Sequence, residues 1–311
     1  MEYRTVGRSS LSVSVVGVGT NNFGMRADVD AVPIVHKALD LGINLFDTAA
    51  RYGDGKSEAA LGEALGSRRH DAVIATKWGP GSPDMPIGSR RYILQSIERS
   101  LRLLKTDYID LYQLHRACKT TPIEETLRAL EDLIQQGKVR YIGVCNTPAW
   151  QAVEWYFTAR ANNLTQLVSC QEEYSLIQRK SFEPELMPAM QRFGLGLLPY
   201  FPLASGLLTG KYRRGEAPPP GSRFAVMKGA AQMHGNETQF ELAQRLMNFA
   251  ESRGHTILEL AMSWLASRPA VASIIAGATS PAQVEANAAA ALSWRLTPEE
   301  ADQVDGITLG T

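Results

Sequence analysis

At 311 residues, 44% apolar and 21% charged, the chain has ordinary globular composition and enough length to bury one large core. Lysine plus arginine equals aspartate plus glutamate at 32 each, which leaves no electrostatic footprint for nucleic acid or an anionic membrane and favours a small, weakly charged substrate. No run approaches the roughly 18 apolar residues of a membrane span, and Met1-Glu2-Tyr3-Arg4 lacks the basic-then-apolar pattern of a secretory signal, so a cytoplasmic location is expected.

Residues 1 to 14 read as a hairpin. Beyond it, short β-branched runs predict strands over 15–18, 43–46, 72–76, 109–114, 139–144, 167–171, 195–199 and 272–276. Amphipathic segments between them predict helices near 30–41, 57–66, 90–104, 123–136, 149–162, 183–193, 237–267 in two pieces, and 281–291. Gly42 and Gly137 stand at expected helix ends, and Pro122, Pro148 and Pro281 near expected starts. Eight strand–helix units predict a single domain over residues 1–311, an α/β fold of the (β/α)8 TIM-barrel class with the hairpin at its bottom. The stretch 206–236, with Pro218-Pro219-Pro220-Gly221 inside it, shows no pattern; following the seventh strand, it is expected over the active rim. Little chain follows the last predicted helix.

Chemistry-bearing residues stand at the ends of three consecutive runs: Asp47 after Ile43–Phe46, Lys77 after Val73–Thr76 and His115 after Ile109–Leu114, with Tyr52 one short loop beyond Asp47. Singly, each has an ordinary explanation as a cap or a solvated loop residue. Jointly, converging at one rim, they form a proton donor and its support. A tyrosine with a pKa of ~10 donates reluctantly near neutrality. A lysine at ~4 Å and an effective dielectric of ~20 would stabilise the phenolate by ~4 kcal/mol before desolvation is subtracted. Asp47 would keep Lys77 protonated despite burial, and His115 would orient the reacting oxygen.

Metal chemistry finds no support. Cys118, Cys145 and Cys170 lack ligand spacing, and His36, His70, His234 and His255 suit surface or helix-side roles. Gly17-Val18-Gly19-Thr20-Asn21-Asn22 lacks the third glycine of a dinucleotide loop, and Ala50 stands where a P-loop ending in Gly55-Lys56-Ser57 needs its leading glycine.

The segment Gly42-Ile43-Asn44-Leu45-Phe46-Asp47-Thr48-Ala49-Ala50-Arg51-Tyr52-Gly53, continuing through Glu58 and Leu61-Gly62-Glu63-Ala64-Leu65, resembles the signature of the aldo-keto reductases. Ile142–Asn146, Gln171–Ser175, Tyr200–Lys211 and Ile275–Thr279 fall in that family's order, so the resemblance covers essentially the whole chain. It implies carbonyl reduction with NADPH, or with NADH as the alternative, by the catalytic set Asp47, Tyr52, Lys77 and His115. It further implies that Asn146 and Gln171 hold the nicotinamide carboxamide and that Tyr200 stacks on the ring. Leu203, Ser205, Gly206, Leu208, Gly210 and Lys211 would clamp the pyrophosphate, while Gly19, Thr20, Asn21, Asp47, Gly277 and Asn287 would line the rest of the coenzyme. Thr279 and Gln283 stand where many members place a cation against the 2′-phosphate, which weakens the preference for NADPH. Arg213, Arg214, Arg223 and Lys228 are the cations available to replace it, with Arg223 preferred. Phe23, Trp78 and Phe201, with Tyr52 and His115, would line an apolar mouth for a small-molecule carbonyl. Channel-associated members supply the alternative reading, a nucleotide-binding regulatory subunit.

Overall fold

The computed structural model describes residues 1–310, apart from the side chain of Lys228. Strands β1 (Tyr3–Thr5) and β2 (Ser12–Ser14) pair antiparallel as the expected hairpin. Eight parallel strands follow: β3 (Val16–Gly19), β4 (Leu45–Asp47), β5 (Val73–Trp78), β6 (Ile109–Leu114), β7 (Val139–Cys145), β8 (Ser169–Glu173), β9 (Gly196–Tyr200) and β10 (Ile274–Gly277). They close a barrel in the order β10-β3-β4-β5-β6-β7-β8-β9, with helices in the connections, which is the (β/α)8 architecture.

Most strands run one or two residues further toward their carboxyl ends than the apolar runs predict. Asp47 pairs with Ala75, Lys77 with Gln113 and Cys145 with Gln171. Backbone pairing is indifferent to side-chain polarity, so the ladder continues through polar residues wherever the barrel interior is itself polar. Asp47, Lys77, Gln171 and Tyr200 therefore sit on the last rungs of the sheet, whereas Tyr52, His115 and Asn146 lie just beyond it.

Two apolar cores divide the molecule. The larger lies between strands and helices. The smaller joins Val6, Leu11 and Val13 of the hairpin segment to Leu45, Ala75, Leu111, Leu198, Ala272 and Ile275 inside the barrel. Close approach of the hairpin depends on Gly7, at φ +57°, where a Cβ would fall 2.5 Å from Val168 O and 2.6 Å from Gly194 O. The hairpin thus floors the barrel at the amino-terminal ends of β8 and β9.

Two expectations need correction. The stretch 206–236 is not unstructured: a 3₁₀ turn spans Ala204–Thr209, and short helices span Arg223–Val226 and Lys228–His234. A further helix, Pro298–Leu309, follows Pro281–Ser293. Only Val304 and Thr308 of it are buried, too few to make an apolar stripe, and Asp305 pins it to Arg179 at 2.6 Å and Arg268 at 3.0 Å rather than to the rim.

Candidate active site

Side chains alternate faces along a strand, so a residue two places beyond an inward apolar one also points inward. Leu45, Ala75, Leu111 and Leu198 face the barrel interior, and two residues on stand Asp47, Lys77, Gln113 and Tyr200. His115 continues the β6 series. Lys77 is completely buried, and its three N–H groups donate to Asp47 Oδ1 at 2.7 Å, Asp47 Oδ2 at 2.8 Å and Thr48 O at 2.9 Å. An ammonium has three donors, so all are committed. Burial pulls this ammonium's pKa down, but Asp47, aided by Tyr52 and Cys145, outweighs it and leaves the net shift upward. Lys77 is a permanent cation, as expected.

Tyr52 behaves otherwise than expected. Burial is the largest influence on its phenol and raises the pKa; Lys77 lowers it, Asp47 raises it again, and the net direction is up. Burial outweighs the charge and hydrogen bonding of Lys77, whose Nζ lies 5.4 Å from the Tyr52 ring centre, and Asp47 offsets part of that charge. Tyr52 is therefore a protonated donor throughout the ordinary pH range. His115 meets it edge-on, ring centres 5.7 Å apart. Burial, then Lys77, Arg51 and Arg116, drive the imidazole's pKa down to about 2, so it is neutral at working pH. Its Nδ1 is buried without a partner, which leaves Nε2 facing the mouth.

The expected nicotinamide residues converge on the same place. Gln171 Nε2 donates to Asp47 Oδ2 at 2.7 Å, Tyr200 Oη donates to Asn146 Oδ1 at 2.7 Å, and Asn146 Nδ2 reaches the His115 carbonyl at 3.2 Å. A carboxamide has donors and acceptors at hand here, beside an aromatic face. Beyond β9 the chain turns through residues rarely seen at positive φ, Phe201 (51°), Ala204 (45°) and Ser205 (56°), before Gly206 at 96°. Lys211 packs against Gly206, where a Cβ would meet Lys211 Cε at 2.9 Å. That cradle, with a lysine free of any acidic partner among the described residues, suits an anion such as a pyrophosphate.

Other residues sit differently from expectation. Arg223 lies over the Phe201 ring at 5.1 Å, its Nε buried without a partner, within the electrostatic reach of Tyr212 and Tyr52. No contact among the described residues brings it to Thr279 or Gln283; Gln283 instead folds back to accept from the Thr279 N–H at 2.9 Å. Thr20 is fully buried, its hydroxyl shared with the Asp47 carbonyl and Ser57 Oγ, so it steadies Asp47 from beneath. Phe23 and Trp78 are fully buried in the outer core, with Trp78 Nε1 donating to Ile87 O, so neither lines the mouth. Asn21 lies beside Gly277 at the rim, and Asn287 is buried on the helix that follows.

Two functional neighbours carried no sequence signal. His234, given a surface or helix-side role, ends the helix Lys228–His234 and is 1% exposed; its Nδ1 lies 3.0 Å from Ser205 Oγ and its Nε2 2.6 Å from Glu173 Oε1. Ser205 thus faces a histidine as well as the anion cradle. Glu172 accepts from the Thr147 N–H at 2.9 Å, yet burial, the dominant influence, pushes its carboxyl up to about 7.

Residues 15–308 match the model of the aldo/keto reductase family. A protein of Oryza sativa subsp. japonica described as a probable voltage-gated potassium channel subunit beta is 37% identical over 317 residues, covering 99% of this chain and 96% of its own length. An Arabidopsis thaliana protein of the same description matches at 37% with the same coverage. A Schizosaccharomyces pombe protein described as a putative voltage-gated potassium channel subunit beta matches at 36% over 320 residues, covering 98% of this chain and 92% of its own. With a family match from the first barrel strand to the last helix, and relatives this similar over nearly their whole length, the chain belongs to the aldo/keto reductase family.

Proposed function

We propose that the protein reduces aldehyde or ketone carbonyls to alcohols with NADPH or NADH. The observation that carries this reading is the clamp of Lys77 by Asp47 and Thr48 beside a protonated Tyr52 and a neutral His115. Bound reduced nicotinamide supplies hydride to the carbonyl carbon. Tyr52 gives its phenolic proton to the carbonyl oxygen, and His115 donates a hydrogen bond from Nε2 that fixes that oxygen's position. The field of Lys77 favours the phenolate left behind, and Asp47 holds that charge in place. Asn146 and Gln171 hold the carboxamide and Tyr200 backs the ring, while Lys211 and Arg223 face the phosphates. Arg223, seated on Phe201 beside Tyr200, serves the pyrophosphate shared by both coenzymes rather than the 2′-phosphate. Three free, buried thiols suit a reducing compartment such as the cytoplasm.

Titrating the purified protein with NADPH and NADH by tryptophan fluorescence, then following coenzyme oxidation with an aromatic aldehyde, tests this. Binding with turnover supports it; binding of neither coenzyme overturns it. The relatives' descriptions favour a second reading, a nucleotide-binding subunit of a channel. That reading requires a large partner to co-purify at stoichiometric level with coenzyme bound and no turnover.

A further inference from the structure

Charges around the mouth are not balanced. Asp47 is held by Lys77, Asp54 by Arg99 at 2.8 Å, Glu173 by His234 and Glu172 by the Thr147 N–H. Arg51, immediately before Tyr52, and Arg116, immediately after His115, are exposed, and neither guanidinium has a hydrogen-bonding or ionic partner among the described residues. Both project from loops after β4 and β6, which flank β5 in the barrel; the cradle for coenzyme phosphates follows β9, across the ring. These two cations therefore stand on the opposite side of the mouth from the cations assigned to the coenzyme.

A cavity of about 510 Å³ opens on the same side, lined by Arg51, Gly79, Tyr92, Gln95 and Arg99 among others. It begins one residue from the catalytic set on two sides: the Ala50 N–H donates to Lys77 O at 3.0 Å, and a Cβ on Gly79 would lie 3.5 Å from His115 Cβ. Its lining combines the charged groups of Arg51, Asp54 and Arg99 with apolar surface, and Arg116 stands outside it, after the next strand but one; Phe23 and Trp78, expected at the mouth, are core residues. Planar guanidinium groups match carboxylate and phosphate oxygens two at a time.

We propose that the carbonyl substrate carries an anionic group, a carboxylate or a phosphate, received by Arg51 and Arg116 as the carbonyl meets Tyr52 and His115. This rests on the carbonyl-reductase reading for the chemistry, though not for the anion site. The chain's overall neutrality conceals the device: a local positive rim on a neutral surface draws an anion toward the one place where it reacts.

The test compares charged and neutral partners of equal shape: 4-carboxybenzaldehyde against 4-carbamoylbenzaldehyde, and glyceraldehyde 3-phosphate against glyceraldehyde. KM is measured in turnover, and binding by calorimetry with and without NADP+. The wild type should prefer the charged member of at least one pair, with the preference falling as salt is raised. Each of Arg51→Gln and Arg116→Gln should reduce that preference by about threefold and the double variant by about tenfold, since exposed ion pairs are individually weak. The two pairs distinguish carboxylate from phosphate. Equal binding of charged and neutral members, or a preference untouched in the double variant, would overturn the anion site. Preferential binding of the anion without reduction of any aldehyde would leave the anion site standing and remove the carbonyl-reductase reading instead.

Discussion

The barrel-end cluster and the strap of residues 204–236 meet at one mouth but are built on opposite principles. In the cluster the ionic partners are internal: Lys77 donates to Asp47 and Thr48, and Asp47 also takes Gln171 and is steadied by the Thr20–Ser57 pair. Strand pairing holds the backbone beneath it. The strap is short helices joined by left-handed turns, held by the Ser205–His234–Glu173 chain and by the Tyr212–Phe224 stack at 4.1 Å, with Arg223 half-buried and unpaired. The ion pair of the cluster is complete without a ligand; the strap leaves its cation unpaired.

The largest expected effect is on the cluster's own stability. Lys77→Met leaves Asp47 buried with Gln171 as its remaining side-chain donor, and breaking a buried pair from one side costs about 3–5 kcal/mol. Urea unfolding should show that loss; under about 1 kcal/mol would mean that Gln171 alone suffices, against the usual cost. Tyr52→Phe should lower turnover by at least about a hundredfold, the lower end of what a positioned acid contributes, with coenzyme affinity nearly intact. Near-normal reduction by that variant removes Tyr52 as the acid.

Glu172 lies between the two regions and tests them by pH. Its folded pKa of about 7 exceeds the ordinary glutamate value, so between roughly 4.5 and 7 the native state binds a proton that the unfolded chain has released, and stability falls as pH rises through that window. Glu172→Gln should abolish the decline and leave the protein on the order of 2 kcal/mol more stable at pH 8, after relaxation is allowed for. A decline that persists in the variant assigns it to other groups.

Effects on the strap are smaller and should appear in coenzyme binding rather than unfolding. Arg223→Ala should weaken NADPH and NADH alike by roughly tenfold, the worth of one charged hydrogen bond. A loss confined to NADPH would return Arg223 to the 2′-phosphate. His234→Ala frees one end of the strap. Coenzyme should then leave about fivefold faster, in keeping with roughly 1 kcal/mol for the hydrogen bond lost to Ser205, and limited proteolysis should cut within 210–236. Unchanged release would make His234 a packing residue only.

Much of this was legible in the chain because the barrel interior obeys a period of two. Asp47, Lys77 and His115 each extend an apolar run, and that alone brings them to one rim. The same rule, applied one residue further, places Trp78 opposite Lys77 and hence outward into the helix layer, where it is found. Phe23 follows a turn, where no period operates. The upward shift at Tyr52 comes first from its burial, which spacing does not reveal. Helix Pro298–Leu309 left a different kind of trace: Thr297 and Glu300 form a capping box with Pro298 at its start, readable without any apolar stripe. His234 left none, because its partners come from a strand end, Glu173, and a turn, Ser205, both distant in sequence.

The hairpin floor has one more consequence. With Val6, Leu11 and Val13 sealing the lower barrel, Asp47, Lys77 and His115 lie above an apolar floor. A phenolate formed at Tyr52 has no back route to bulk water, so the proton that restores it enters by the path along which the alcohol departs. If Tyr52 is the acid, recharging it and clearing the product would share one route, and solvent deuterium should slow the release stage of the cycle as well as the chemical one.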